Sequence, residues 1–238
     1  MNTKIYVSKL NSSYVQVDAD EDIILDLNNY FSVYAEGYKF SPKYKNRIWD
    51  GKIRFFSAAT HILPLGLLDI LQRFADDNKY TLIKDAQLSN EESEFDEAKF
   101  QVNIDNALKA SDGLKMRDYQ EAACKLALQK KMGILQCCTS SGKSMIIYNM
   151  IRNLLTYKKI KKILLIVPNV SLVEQMYSDF EDYGWVNIED SVEMLYSSKK
   201  PTFKLPVLIS TWQSLQKVTD PDYYESIDAV IVDECHRK

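Results

Sequence analysis

Between residues 133 and 236 short apolar runs alternate with amphipathic stretches, and the first junction between them carries Gly142-Lys143-Ser144. That alternation constrains the fold more than any other feature, because strands separated by helix-length segments bury themselves best as a parallel sheet covered by helices. Strands are expected at 133–137, 162–167, 192–196, 206–210 and 228–232. A helix over 117–130 is expected to bury Tyr119, Ala123, Leu126 and Ala127. After Pro168, Leu172, Val173, Met176 and Phe180 recur at helical spacing, up to a stop near Gly184.

The first junction reads as a phosphate loop. The run ending at Cys137 continues as Cys138-Thr139-Ser140-Ser141-Gly142-Lys143-Ser144, and Met145, Ile146 and Ile147 open a helix. A tight turn at a helix N-terminus aims several backbone N–H groups at one point, where the helix dipole also favours an anion. Thr139, Ser140, Ser141 and Gly142 would form the cradle for ATP, Lys143 would reach the β- and γ-phosphates, and Ser144 would hold Mg²⁺. The general pattern has glycine where Cys137 stands, so an ordinary polar turn between strand and helix remains open on these residues alone. Ninety residues after Lys143, Ala229-Val230-Ile231-Val232 deliver Asp233-Glu234-Cys235-His236 at a strand C-terminus, where open parallel sheets bind ligands. Asp233 suits Mg²⁺ and Glu234 suits the base that takes a proton from the attacking water. The alternative is a solvated acidic strand end.

The first 84 residues form a different pattern, a small α+β domain. Strand-like alternation at 5–10 and 14–17 precedes a helix over 20–30 with Ile23, Ile24 and Leu27 on its inner face, and a second helix covers 65–75. Strands are expected around 32–38 and 52–56. From Tyr38 to Phe56, Lys39, Lys43, Lys45, Arg47, Lys52 and Arg54 oppose one acid, Asp50, for a local net charge of +5. Tyr38, Phe40, Tyr44, Trp49, Phe55 and Phe56 interleave with them. Cations neutralise phosphates and exposed rings stack on bases, so this stretch suits nucleic acid, against a plain solvated basic face with Trp49 and Phe55 in the core. Asp85, Glu91, Glu92, Glu94, Asp96 and Glu97 then crowd a segment of low apolar content, expected to be an acidic linker over 85–108. Residues 109–238 make the second domain.

The remaining composition excludes some classes. No apolar run approaches the roughly 20 residues that span a bilayer, and no signal core opens the chain, so no membrane and a cytoplasmic location are expected. Cys124, Cys137, Cys138 and Cys235 lack Cys-x-x-Cys spacing and His61 lies far from His236, which argues for reduced thiols rather than zinc.

Residues 137–144 and 233–236 resemble motifs I and II of superfamily 2 helicases, in the Asp-Glu-x-His variant, and imply a RecA-like α/β fold and ATP-dependent helicase activity. The resemblance puts His236 in the catalytic set. Arg117-Asp118-Tyr119-Gln120 is similar to the element before motif I, which makes Arg117, Tyr119 and Gln120 nucleotide-contacting residues, with Gln120 on the adenine edge. The stretches 163–169 and 172–175 resemble motif Ia and 210–215 the next block. By that likeness Pro168, Asn169, Gln175, Thr211 and Gln213 line a nucleic-acid track, with Leu172, Val173 and Leu215 in the core. In the first domain, Gly37-Tyr38-Lys39-Phe40-Ser41-Pro42, Trp49-Asp50-Gly51-Lys52-Ile53-Arg54 and Leu63-Pro64-Leu65-Gly66-Leu67 resemble the UvsW helicases of T4-like bacteriophages. This implies action on branched or forked DNA in recombination and repair, or on RNA–DNA hybrids, in the host cytoplasm.

In the superfamily a further strand with motif III and a second RecA-like domain follow motif II. The chain is therefore expected to be truncated after motif II, as the N-terminal portion of a larger motor or half of a split one completed by a second polypeptide, and to turn over ATP poorly by itself. The rival classes are a DNA- or ATP-holding module without turnover and an unrelated phosphate-loop kinase. The pairing of Asp-Glu-Cys-His with Val167-Pro168 disfavours the kinase.

Overall fold

The computed structural model describes residues 3–89, 95–130, 132–156, 160–196, 202 and 204–236. The chain divides between residues 93 and 94 into two compact units.

In the first unit, β1 (Lys4–Lys9), β2 (Tyr14–Asp18), β5 (Ile62–Pro64) and β6 (Thr81–Lys84) form a sheet in the order β5-β2-β1-β6. Strands β1 and β2 alternate strictly, and Ile5, Val7, Val15 and Val17 bury one face. Helices α1 (Glu21–Tyr30) and α3 (Leu68–Asp77) complete that core with Ile23, Ile24, Leu27, Leu71 and Phe74. The expected strand over 32–38 is only β3 (Ser32–Tyr34), paired antiparallel with β4 (Lys52–Arg54). Gly37 adopts φ +66° and turns the chain into a 3-10 segment, Tyr38–Phe40, followed by the short α2 (Pro42–Lys45). Gly51, at φ +81°, is closed over by the Tyr38 ring, which a Cβ would strike. A short α4 (Ala86–Ser89) follows β6.

The second unit opens with α5 (Glu97–Leu108), inside the span expected to be a linker; residues 91, 92 and 94 of that acidic run lie outside the described residues. The acids mislead because they serve the helix end: the Asp96 side chain accepts from the Lys99 N–H at 3.0 Å, and Glu97 pairs with Lys125. Phe100, Ile104, Ala107 and Leu108 recur at helical spacing and are buried in the second unit's core.

Helices α6 (Asp118–Lys130), α7 (Lys143–Thr156) and α8 (Val170–Asp182) share that core with the sheet β10-β7-β9-β8, whose ladders are all parallel. Its strands are β7 (Ile163–Val167), β8 (Val192–Leu195), β9 (Val207–Thr211) and β10 (Ala229–Val232). Both faces are covered, since Ile163, Leu165, Val207 and Ile209 pack on one side while Leu164 and Leu208 join Leu215 of α9 (Trp212–Leu215) and Tyr223 of α10 (Pro221–Glu225) on the other. The expected strand at 133–137 does not form. Residues 133–138 keep a strand's alternation, with Leu135 and Cys137 packed on the core, yet among the described residues they join no ladder, and β10 pairs with β7 alone.

The buried face of α6 is also displaced from expectation. Tyr119 and Leu126 are exposed, and Gln120, Cys124 and Leu128, four apart, point inward. Burial pushes the Cys124 thiol up to about 12, consistent with a small apolar filler. No helix among the described residues is long and apolar enough to cross a membrane.

Helix α5 is tethered to α7 by the fully buried Tyr148, whose hydroxyl donates to the Ala107 carbonyl at 2.6 Å. Tyr148→Phe keeps the ring and strands that carbonyl, so a loss of about 1–3 kcal/mol is expected, read from the urea midpoint of the second unit.

Candidate active site

The loop between residue 138 and α7 is shaped by two left-handed residues, Ser140 at φ +62° and Gly142 at φ +75°. Glycine adopts this conformation freely and serine does so at a cost. The turn between them is gripped from α6: the Ser141 carbonyl accepts from Gln120 Nε2 at 2.9 Å and from the Tyr119 hydroxyl at 2.9 Å. Gln120 is held in turn, its Oε1 accepting from the Arg117 N–H at 2.8 Å, and Arg117 donates to the Tyr119 hydroxyl at 3.1 Å. This grip explains the displaced face of α6, since Gln120 must point inward to reach the loop.

Lys143 and Ser144 begin α7, and the strand end after β10 brings the acidic motif to them. Lys143 Nζ lies 3.1 Å from Glu234 Oε1, and His236 Nδ1 lies 3.4 Å from Glu234 Oε2. Glu234 is itself left-handed, at φ +52°, directly after Asp233, whose N–H extends the ladder to the Ile166 carbonyl at 2.8 Å. The Ser144 Oγ lies 2.7 Å from the hydroxyl of Tyr183, just past α8. Burial raises the Asp179 carboxyl above its ordinary range.

One observation fits an anion in this loop: Ser141 Oγ is buried with no partner among the described residues. Gly142 is needed for another reason, since a Cβ there would strike the Gln120 amide. The donor set also fits a hard cation. Among the described residues no group of three or more His, Cys, Asp or Glu could form a protein-only metal cage, whereas Mg²⁺ takes one or two protein oxygens and completes its shell with phosphates and water. Ser144 and Asp233 offer such oxygens.

The second group of expected residues, around the ends of β7 and β9, is divided. Asn169 is exposed, but its Oδ1 caps α8, accepting from the Leu172 N–H at 3.0 Å and from the Ser171 hydroxyl at 2.8 Å. Pro168 is half-buried; Gln175 and Gln213 are exposed. Thr211 does not reach the surface: it is 3% exposed, and its hydroxyl caps α9 while donating to Ser214 at 2.9 Å. Its neighbour Trp212, which the sequence reading passed over, is 58% exposed. A tryptophan at a helix N-terminus beside an exposed glutamine was the available signal.

In the first unit, Lys39, Lys43, Lys45 and Arg47 are exposed. Arg54 is engaged by Asp50, whose carboxyl is held down to about 2 by that guanidinium and by the Lys52 N–H. The Lys52 ammonium lies 5.5 Å from the Tyr34 ring centre and that of Lys39 5.9 Å from Tyr38. Trp49 is half-buried, its indole N–H donating to the Lys52 carbonyl at 2.9 Å. Of the interleaved rings, Phe56 belongs to the core, Phe55 is exposed, and Phe40 is 80% exposed.

Comparison with known proteins agrees with this division. Residues 4–85 match the family described as DNA helicase UvsW, N-terminal, and residues 113–238 match that of the type III restriction enzyme res subunit. The chain is 31% identical over 232 residues to the ATP-dependent DNA helicase uvsW of Enterobacteria phage T4, an alignment covering 94% of this chain and 45% of that protein. The chain thus spans about half the length of the curated relative it matches. A crystal structure of the UvsW helicase from bacteriophage T4 superimposes with a TM-score of 0.85 at 30% identity, covering 98% of this chain and 83% of that one. A second T4 UvsW structure gives 0.85 at 29% identity, with 98% and 47% covered.

Gly142→Ala forces an alanine into the left-handed region and against Gln120, so a loss of about 1–3 kcal/mol is expected in thermal unfolding. Combining it with Gln120→Ala should cost less than the two single losses added together, because the clash is then absent.

Proposed function

This chain belongs to the UvsW helicase family, and on that premise we propose that its second unit binds and hydrolyses ATP with Mg²⁺ while its first unit engages DNA. The motor they serve acts on branched or forked DNA, or on RNA–DNA hybrids, during recombination and repair. Translocation belongs to the whole protein in this reading, with a further motor domain in the same chain or in a second polypeptide.

The observation that carries the ATP reading is the 3.1 Å contact of Lys143 with Glu234 beside a gripped, glycine-containing turn. The Glu234 carboxylate neutralises the lysine. Phosphate oxygens are the natural replacement, and the exchange releases Glu234 to orient water and accept its proton. Ser144 and Asp233 would hold Mg²⁺, which when bound neutralises charge on the transferring phosphoryl group. His236, on the other oxygen of Glu234, holds that carboxylate in place. Gln120 keeps the loop shaped through Ser141, with its role on the adenine edge resting on the family likeness.

For DNA, the supported contacts are the exposed cations Lys39, Lys43, Lys45 and Arg47, with Lys52 half-buried and Arg54 already paired with Asp50. Phe40 offers a ring for stacking. On the second unit the exposed Gln175, Trp212 and Gln213, with Pro168 and Asn169, support a strand track; the buried Thr211 is left out.

Lys143→Ala should weaken binding of a fluorescent ATP analogue about tenfold or more, the loss of charged hydrogen bonds. Glu234→Gln should bind nucleotide and lose hydrolysis. Parental affinity in the first variant would sink the ATP reading, and a parent that binds ATP with no turnover in the presence of forked DNA would favour the module without catalysis.

Replacing Lys39, Lys43, Lys45 and Arg47 together by alanine should flatten the dependence of log Kobs for forked DNA on log salt by about 3 to 4, from roughly 0.9 per phosphate contact on duplex. An unchanged slope would remove this surface from the DNA site.

A further inference from the structure

Ser144 stands second in α7, and the direction of its hydroxyl is set from another helix. Its Oγ and the Tyr183 hydroxyl lie 2.7 Å apart, a distance at which one donates to the other. Tyr183 is fixed in turn. Its N–H donates to the Asp179 carbonyl at 2.9 Å, and its ring meets Tyr148 edge to face with centroids 5.5 Å apart. Asp179, one turn back along α8, thus braces Tyr183 through its main-chain carbonyl. Neither Tyr183 nor Asp179 belongs to the loop or to the acidic strand end.

A hydroxyl that ligates a cation must give a lone pair to the metal and its proton to some other acceptor. Partners one step removed from the metal orient ligands in this way, and their loss weakens metal binding without removing a ligand. A cation also makes the hydroxyl a stronger donor, so the outer bond and the metal bond reinforce one another. Without an acceptor the serine hydroxyl is free to turn among its staggered positions, and that freedom is lost when the cation binds.

We propose that Tyr183, braced by the Asp179 main-chain carbonyl and the Tyr148 ring, is a positioning residue for the Mg²⁺ of the bound nucleotide, accepting the Ser144 proton so that a lone pair remains for the cation. The inference rests on the reading of Ser144 as a Mg²⁺ ligand.

The test is a titration of a fluorescent ATP analogue against the full chain, in EDTA and then across a Mg²⁺ series. Tyr183→Phe removes one oxygen and keeps the ring. It should raise the Mg²⁺ midpoint about fivefold, the equivalent of one ordinary hydrogen bond, with the EDTA affinity unchanged. Tyr183→Met, which likewise lacks the oxygen, should shift the midpoint in the same direction, and it serves as the second probe if Tyr183→Phe unfolds. Midpoints that stay at the parental value, or fall, overturn the proposal. Ser144→Ala separates the two readings. If it abolishes the gain from Mg²⁺ while Tyr183→Phe leaves the midpoint unmoved, only the positioning role fails; if the gain survives Ser144→Ala, the ligand assignment itself fails.

Discussion

The Ser141 carbonyl accepts two side-chain hydrogen bonds from α6, and much of the second unit's site follows from that convergence. A turn containing a left-handed serine and a left-handed glycine is strained and needs to be over-determined by its surroundings. Gln120 and Tyr119 supply that restraint. The requirement fixes the rotation of α6, since Gln120 cannot reach the loop unless the helix turns its Gln120, Cys124 and Leu128 edge inward. It also fixes where α7 begins, and with it the positions of Lys143 and Ser144.

The acidic strand end meets this loop because β10 pairs in register with β7 and the ladder continues through the Asp233 N–H. Beyond that bond the backbone breaks into the left-handed region at Glu234, which turns its carboxylate toward Lys143. Strain is thus present on both sides of the ion pair, at Ser140 and at Glu234. Backbone strain of this kind gathers where groups must be held ready for a ligand.

Charge in the first unit has a different distribution from the one its sequence suggests. The six basic residues between Tyr38 and Phe56 look equivalent along the chain. Folded, Arg54 is engaged by Asp50 and Lys52 faces Tyr34, while Lys43, Lys45 and Arg47 stand on the exposed turn around α2. An ion pair or partial burial makes a cation less available to an anionic partner, so the accessible charge is smaller than the +5 segment suggests.

The sequence by itself determined the parallel α/β character of the second unit, the positions of β7 to β10, the inner residues of α8, and the candidate roles of Lys143, Asp233 and Glu234. These depend on local periodicity and on chemistry carried by short contiguous motifs, which need no knowledge of the rest of the chain. Only the tertiary structure decided the rest. Residues 85–108 read as linker because acids dominate the composition, yet the Phe100, Ile104 and Leu108 edge becomes a core face once α7 is there to receive it. Residues 133–137 read as a strand, but a strand exists only where a neighbour completes its hydrogen bonds. Thr211 read as a surface contact until a helix began at its hydroxyl, and the Tyr183 bond to Ser144 joins residues 39 positions apart that no local pattern connects.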